Sequence, residues 1–369
     1  MRQRGLGNIF RGSVSLFLFP VTNGTSTGKS FFGFWETTMQ HDPPKGFGYE
    51  KLPYRYVAKY ENGNWQKGDL TDNANVVLNE SACVLHYAQS IFEGLKAYRT
   101  KEGKIVCFRP DLNEARLKDS AERMMIPPLP EGMFLEAVRL VVKANEKYIP
   151  PYGSGGSLYL RPIIYGTSPV LGVKPAKEFE FRLFASPVAS YFHKAEGIRL
   201  RVSDFDRAAP HGTGHIKAGL NYAMSLYPIS DAHAKGFDEN LYPDPATRNF
   251  IEETGGANIL FVKGNTLVTP LSPSILPSIT RRSLLFLAKN YLKMETEERK
   301  IALRELGDFE EAGLCGTAAV ISPVREIVFA GTSFRYSVSE KGKLQALSDL
   351  LKAVQAGDSF APDGWIYKI

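Results

Sequence analysis

The sequence predicts a mixed α+β protein of two domains. Three observations carry that prediction: strand-period and helix-period segments alternate along the chain, no segment repeats, and the periodicity breaks near the middle. With 369 residues the chain has room for two cores at about 150 residues each.

Lys104 to Phe108 reads as a short strand, after which Asp111 caps a helix holding Leu112, Ala115 and Ala121. A second helix runs from Gly132 to Tyr148, with Leu135, Val138 and Val142 along one face, and ends at Pro150-Pro151. Ser157 to Tyr165 is apolar throughout, and Phe179, Phe181 and Leu183 alternate with Glu180 and Arg182, so both read as strands. The stretch 187–197, PVASYFHKAEG, interrupts the pattern before Ile198 to Val202 resumes it. The expected organisation is an extension over 1–38, a small N-terminal α+β domain over 39–186, an interdomain loop over 187–197 and a large C-terminal α+β domain over 198–369.

Composition excludes several classes. Hydrophobic residues make up 43% and charged residues 23%, and no apolar run reaches the length of a membrane-spanning helix. The net charge is +6, but Lys and Arg are scattered, which favours a small anionic ligand over nucleic acid. Cys83, Cys107 and Cys315 are widely spaced, without a C-x-x-C pair, so neither a disulfide framework nor a zinc site is encoded, and a reducing, cytoplasmic location follows.

The first 39 residues differ from the rest: Arg2, Arg4, Arg11 and Lys29 meet no acid until Glu36. Such a start is transit-like, which would mean a mitochondrial or plastid enzyme, or it lies upstream of a true start at Met39; Val14 to Val21 also has the look of a short signal core. Gly24 to Ser30, GTSTGKS, imitates a P-loop, yet three residues separate its glycines instead of four. A nucleotide-binding protein is therefore the alternative from another class.

Four features of the second half bear on chemistry. Lys217 sits in HGTGHIKAGLNY among small and apolar neighbours, with Tyr222 five residues on, and an apolar pocket favours the neutral, nucleophilic amine. FIEETGGANILF places two acids at a strand end before a glycine turn, where a buried carboxylate can hold a pyridine nitrogen protonated. ILPSITRRSLLFLAK opens a helix at Thr280, whose free N–H groups and dipole suit a phosphate. In LCGTAAVISP the Thr317 hydroxyl and adjacent amides can close the same anion site. Each feature taken singly also fits a plain surface lysine, exposed acids or a capped helix.

Together, in this order, they resemble the branched-chain amino acid aminotransferases, pyridoxal-phosphate enzymes of fold type IV. The resemblance covers 45–369 and is carried by LHYAQSIFEGLKAY, FRPDLNEARL, SLYLRPIIYGTSPVLGV, RAAPHGTGHIKAGLNY, ILPSITRR and CGTAAVISP. It implies mixed sheets with helices packed around them, pyridoxal 5'-phosphate as cofactor and a homodimer. Lys217 would be the Schiff-base lysine and proton shuttle, Glu253 the acid on the pyridine nitrogen, and Tyr222 the partner of the ring hydroxyl. Arg109, in CFRPDL, would bind the phosphate with Ile279, Thr280 and Thr317. Phe47, Tyr87, Phe92, Tyr159 and Tyr191 would wall the branched side chain, Arg161 would meet the second carboxylate of glutamate, and the Ala318 N–H would hold the α-carboxylate. Leu171 and Val173 would reach across a dimer interface.

The implied reaction moves the amino group of leucine, isoleucine or valine to 2-oxoglutarate in two half-reactions. D-amino acid aminotransferases and aminodeoxychorismate lyases share the lysine and the ring acid and form the internal alternative, though they lack the FEGLKAY and YLRP context. Three departures stand out. Gly256 replaces a frequent Thr, Ala319 and Ser322 occupy the places of a redox C-x-x-C, and Pro228 predicts a kink or break in the helix after Tyr222.

Overall fold

The protein is described by a computed structural model that covers residues 46–189 and 196–369. The extension over 1–38, the near P-loop at 24–30, Met39 and Tyr191 lie outside the described residues.

Two sheets of nine strands organise the chain. The first is antiparallel and runs Ile366–Lys368, Ile105–Phe108, Leu95–Arg99, Ser157–Gly166, Phe179–Val188, Arg55–Glu61, Asn64–Trp65, with Ser90–Phe92 and Asp69–Thr71 attached at its sides. The second is mixed: Ile251–Thr254, Glu239–Pro243, Ile198–Val202, Val320–Phe329, Glu311–Gly316, Asn258–Lys263, Thr266–Pro270 and Glu295–Arg299, with Thr332–Arg335 attached to Val320–Phe329. This is the expected α+β architecture, with helices packed against both sheets.

Ser157–Gly166 is buried at eight of its ten positions because both of its faces are covered, which is why it reads as a continuous apolar run rather than an alternation. Helix Met133–Ala144 lays Phe134, Val138, Val141 and Val142 on this sheet beside Phe181 and Leu183. It is shorter than the sequence pattern suggests. Asn145 closes it by donating to the carbonyls of Val141 and Tyr54, and Glu146–Tyr148 is a 3-10 turn leading into Pro150.

The second sheet has a core on each face. Leu284 and Leu287 of helix Ile279–Asn290 meet Leu347 and Leu351 of helix Lys343–Ala356 on one side. On the other, the Phe261 ring stacks on Phe309 at 4.5 Å. Removing a ring buried as fully as Phe261 costs about 3–5 kcal/mol.

Three local expectations change. Helix Pro110–Arg123 is entered through Arg109, held at φ 48°, with Pro110 as its first residue; Asp111 lies in the first turn, where a carboxylate favours the dipole, and does not cap it. The chain after Tyr222 does break, between Gly219–Ala223 and Leu226–Ala234, but Pro228 sits in the first turn of the second helix, where its missing N–H is not needed. The last strand, Ile366–Lys368, crosses back to pair with Ile105–Phe108 of the first sheet, so the segment 198–369 does not stay with the second.

Candidate active site

A cavity of about 450 Å³ opens where the two sheets meet. Lys217 lies at its floor. Its carbonyl accepts from Phe92 N at 3.0 Å, its own N–H donates to Ser120 Oγ at 3.1 Å, and the adjacent Ala218 bridges to Ile91, so the first sheet fixes its backbone. Lys217 Nζ donates to Tyr222 Oη at 2.9 Å and lies 4.9 Å from the centre of the Phe92 ring. The five-residue spacing works because Gly219–Ala223 makes a single helical turn that brings the tyrosine back over the lysine.

Opposite stands Glu253, at the buried end of strand Ile251–Thr254. Its Oε1 accepts from Leu276 N at 2.9 Å and pairs with Arg207 at 2.7 Å, and its Oε2 accepts from Asn258 Nδ2 at 2.6 Å. Burial pushes this carboxyl above its usual range, and Arg207, the Leu276 amide and the Lys217 charge pull it back only in part. Asn258 Oδ1 is buried without a partner in the cavity wall.

The third corner is a helix N-terminus. Helix Ile279–Asn290 begins here, capped by Ser278, whose side chain accepts from Arg281 N. Arg116 approaches it from helix Pro110–Arg123: Nη1 donates to Pro277 O at 2.9 Å, while Nε and Nη2 grip Glu93 at 2.7 and 2.8 Å. Three donors are thus engaged and two of a guanidinium's five remain. Glu93 is 0% exposed; burial drives its carboxyl up, but the Arg116 charge and hydrogen bonds outweigh that and hold it below the usual range. Thr317, Ala318 and Ala319 form the turn between strands Glu311–Gly316 and Val320–Phe329 and close the rim.

The side wall is aromatic. Phe47 meets Tyr159 edge to face at 4.8 Å, and Phe92 meets Tyr222 at 4.9 Å. A Cβ at Gly94 would stand 2.0 Å from the Tyr159 hydroxyl, so only glycine lets that tyrosine in. Arg161 stacks over Phe92 and Tyr159, donates to Tyr159 Oη at 3.2 Å, and keeps Nε buried with no partner.

A lysine, a buried carboxylate and a helix N-terminus beside an arginine share one cleft. Residues 90–327 match the amino-transferase class IV family. The chain belongs to that family. A branched-chain-amino-acid aminotransferase of Helicobacter pylori is 47% identical over 329 residues, 88% of this chain and 96% of the relative. The structure of the branched-chain amino acid aminotransferase of Escherichia coli superposes with TM-score 0.70 at 28% identity, covering 84% of this chain and 98% of that one. The branched-chain aminotransferase of the thermophilic archaeon Thermoproteus uzoniensis, with norvaline, gives TM-score 0.70 at 26% identity, over 85% of this chain and 99% of that one.

Pyridoxal 5'-phosphate is the cofactor of this class IV aminotransferase. The residues present fit it. The cleft offers a primary amine, a buried acid beside the unpartnered Asn258 oxygen, and an arginine with free donors at a helix N-terminus, at its three corners.

Of the expected site residues, Phe47, Phe92, Tyr159, Arg161, Lys217, Tyr222, Glu253, Ile279, Thr317 and Ala318 all line the cleft, and Thr280 is buried in the first turn beside it. Arg109 does not line it. Its guanidinium lies 4.4 Å from the centre of the Trp365 ring and bonds Ser283, one turn further along the helix, whereas Arg116 lines the cleft. The two arginines stand seven residues apart in the sequence, and the pattern alone does not choose between them. Tyr87 is also absent from this wall: its hydroxyl donates to Leu171 O on the surface, where Leu171 and Val173 are 88% and 87% exposed. Sequence reasoning missed Glu93, Arg116 and Arg207, all of which lie inside the motifs that carried the resemblance.

Proposed function

We propose that this enzyme transfers the amino group of branched-chain L-amino acids to 2-oxoglutarate, giving branched-chain 2-oxo acids and L-glutamate. The observation that carries the reading is the aromatic wall of Phe47, Phe92 and Tyr159 with Arg161 set into it as a cation without a carboxylate partner among the described residues. An aliphatic side chain gains about 1.5–3 kcal/mol on burial against such a wall, and the arginine answers the distal carboxylate of glutamate. The names of the relatives support the same substrates.

Pyridoxal phosphate supplies an aldehyde that takes up the amino group and a ring that spreads the electron pair left by the α-proton. The chain does the rest. Lys217 Nζ takes the proton from the substrate α-carbon and returns one on the cofactor side, with Tyr222 Oη at 2.9 Å holding its position. Glu253, anchored by Arg207, Asn258 and the Leu276 amide, keeps the ring nitrogen protonated. Arg116, the amides of Ile279 and Thr280 and the Thr317 hydroxyl hold the phosphate, and the Ala318 N–H holds the α-carboxylate.

The protein acts as a homodimer. Leu171 and Val173 are apolar and exposed, and Tyr87 bonds the Leu171 carbonyl, which supports the covering of this patch by a second copy. It is a cytoplasmic enzyme on this reading, in keeping with three free, buried cysteines.

An absorbance titration tests the function. The visible cofactor band of the purified protein falls when L-leucine is added and returns with 2-oxoglutarate. A band that responds to D-alanine and not to L-leucine would overturn the substrate class while leaving the fold family intact.

A further inference from the structure

A second cavity, of about 580 Å³, lies on the far side of the turn 317–319. It shares Ala318 and Ala319 with the catalytic cleft and is otherwise separate from it. Strand Leu95–Arg99 provides its floor, helix Lys343–Ala356 one wall, and Pro150 with Val320 the other.

Its charges are unbalanced at one point. Lys96 is 7% exposed, and its only hydrogen-bond partner among the described residues is the Ala318 carbonyl, at 3.1 Å. No described carboxylate lies within ion-pair distance of it. The two acids of the cavity are engaged elsewhere: Asp358 accepts from Tyr152 Oη at 2.9 Å, and Asp349 accepts from Gln345 and faces Lys352 at 3.9 Å. Burial, with Lys352 adding its like charge, pulls the Lys96 ammonium down to about 8. A buried ammonium beside another cation, in a pocket with apolar walls, lacks an anion.

We propose that this cavity is a regulatory site for a small apolar monocarboxylate, whose carboxylate pairs with Lys96 and whose hydrocarbon part rests on Pro150, Val320 and Ala353. Pairing draws Nζ away from the Ala318 carbonyl and loosens the turn 317–319 from behind. The consequence for catalysis rests on the proposed role of the Ala318 N–H in holding the substrate α-carboxylate; the binding itself does not. Occupation raises the KM for amino acid without entering the cleft, so inhibition levels off at a residual rate instead of going to completion.

The test uses cyclohexanecarboxylate with the holoenzyme, by titration calorimetry and by initial rates. The expected result is one binding event in the calorimeter and partial inhibition that saturates, with KM rising several-fold. Ala353→Trp fills the cavity from the helix, and Lys352→Glu, at an exposed position, reverses a rim charge; each weakens binding at least tenfold and removes the partial inhibition. A melting curve confirms that either variant is folded. No binding at millimolar probe, equal binding to wild type and both variants, or purely competitive inhibition overturns the proposal. Binding that is lost in the variants but leaves KM unchanged in wild type overturns the coupling through Ala318, and leaves the transaminase reading untouched.

Discussion

Replacing Arg161 by methionine removes a cation that has no carboxylate partner among the described residues, while keeping most of the apolar stem. The guanidinium lies 4.8 Å from the Phe92 ring centre and 5.3 Å from that of Tyr159, with Nε buried and unbonded, so a bound carboxylate meets it with water largely excluded. A hydrogen bond to a charged group in such a place is worth about 1.5–3 kcal/mol. At about 1.4 kcal/mol per factor of ten, kcat/KM for 2-oxoglutarate falls roughly ten- to 150-fold in Arg161→Met. For 4-methyl-2-oxopentanoate, which brings no second carboxylate, the change stays within about threefold, because methionine refills the wall. The assay measures both oxo acids against L-isoleucine as common donor. Equal losses for the two, in a protein that melts like wild type, would refute the assignment and make Arg161 structural.

Three further outcomes follow from the site. Arg116→Met leaves the Glu93 carboxylate buried and uncompensated, at a cost of about 3–5 kcal/mol, and loosens the cofactor, whereas Arg109→Met leaves cofactor retention on dialysis close to wild type; the reverse ranking would restore Arg109 to the phosphate site. Because Arg116 holds the Glu93 carboxyl below its ordinary value, the pair contributes stability above about pH 4.3 that is lost as pH falls through the lowered folded value. The melting temperature of wild type therefore drops more steeply below about pH 4.3 than that of Glu93→Gln, and parallel profiles would contradict this. Leu171→Asp sets a charge into the proposed dimer contact, so sedimentation shows dissociation together with loss of activity; a fully active monomer would show that the contact is irrelevant.

Much of the site was legible because its chemistry sits on short local patterns. Lys217 and Tyr222 share one helical turn, and Glu253 and Asn258 flank one glycine turn, so their spacing survives in the sequence. What escaped was set by three-dimensional contact. Arg109 and Arg116 stand seven residues apart in one motif, and only the structure shows that Arg109 is the left-handed entry residue of the helix while Arg116, within it, reaches the start of helix Ile279–Asn290. Tyr87 sits in a motif that otherwise serves the cleft, yet it ends the short helix Cys83–Tyr87 and its hydroxyl bonds the Leu171 carbonyl. Glu93 and Arg207 act through partners 23 and 46 positions away, which no local pattern records. The return of Ile366–Lys368 to the first sheet was hidden for the same reason, since pairing with Ile105–Phe108 is a contact between chain segments some 260 residues apart.

The central claim is that Lys217 Nζ moves the α-proton of a branched-chain L-amino acid. Proton NMR of L-leucine in D2O, with cofactor-saturated enzyme and no oxo acid, measures that step without a full turnover. The account predicts that wild type exchanges the α-hydrogen of L-leucine for deuterium and leaves D-leucine untouched, and that Lys217→Ala, still folded, slows the exchange by at least a thousandfold, the scale of a positioned acid–base group. Exchange by Lys217→Ala at a rate near that of wild type would contradict it.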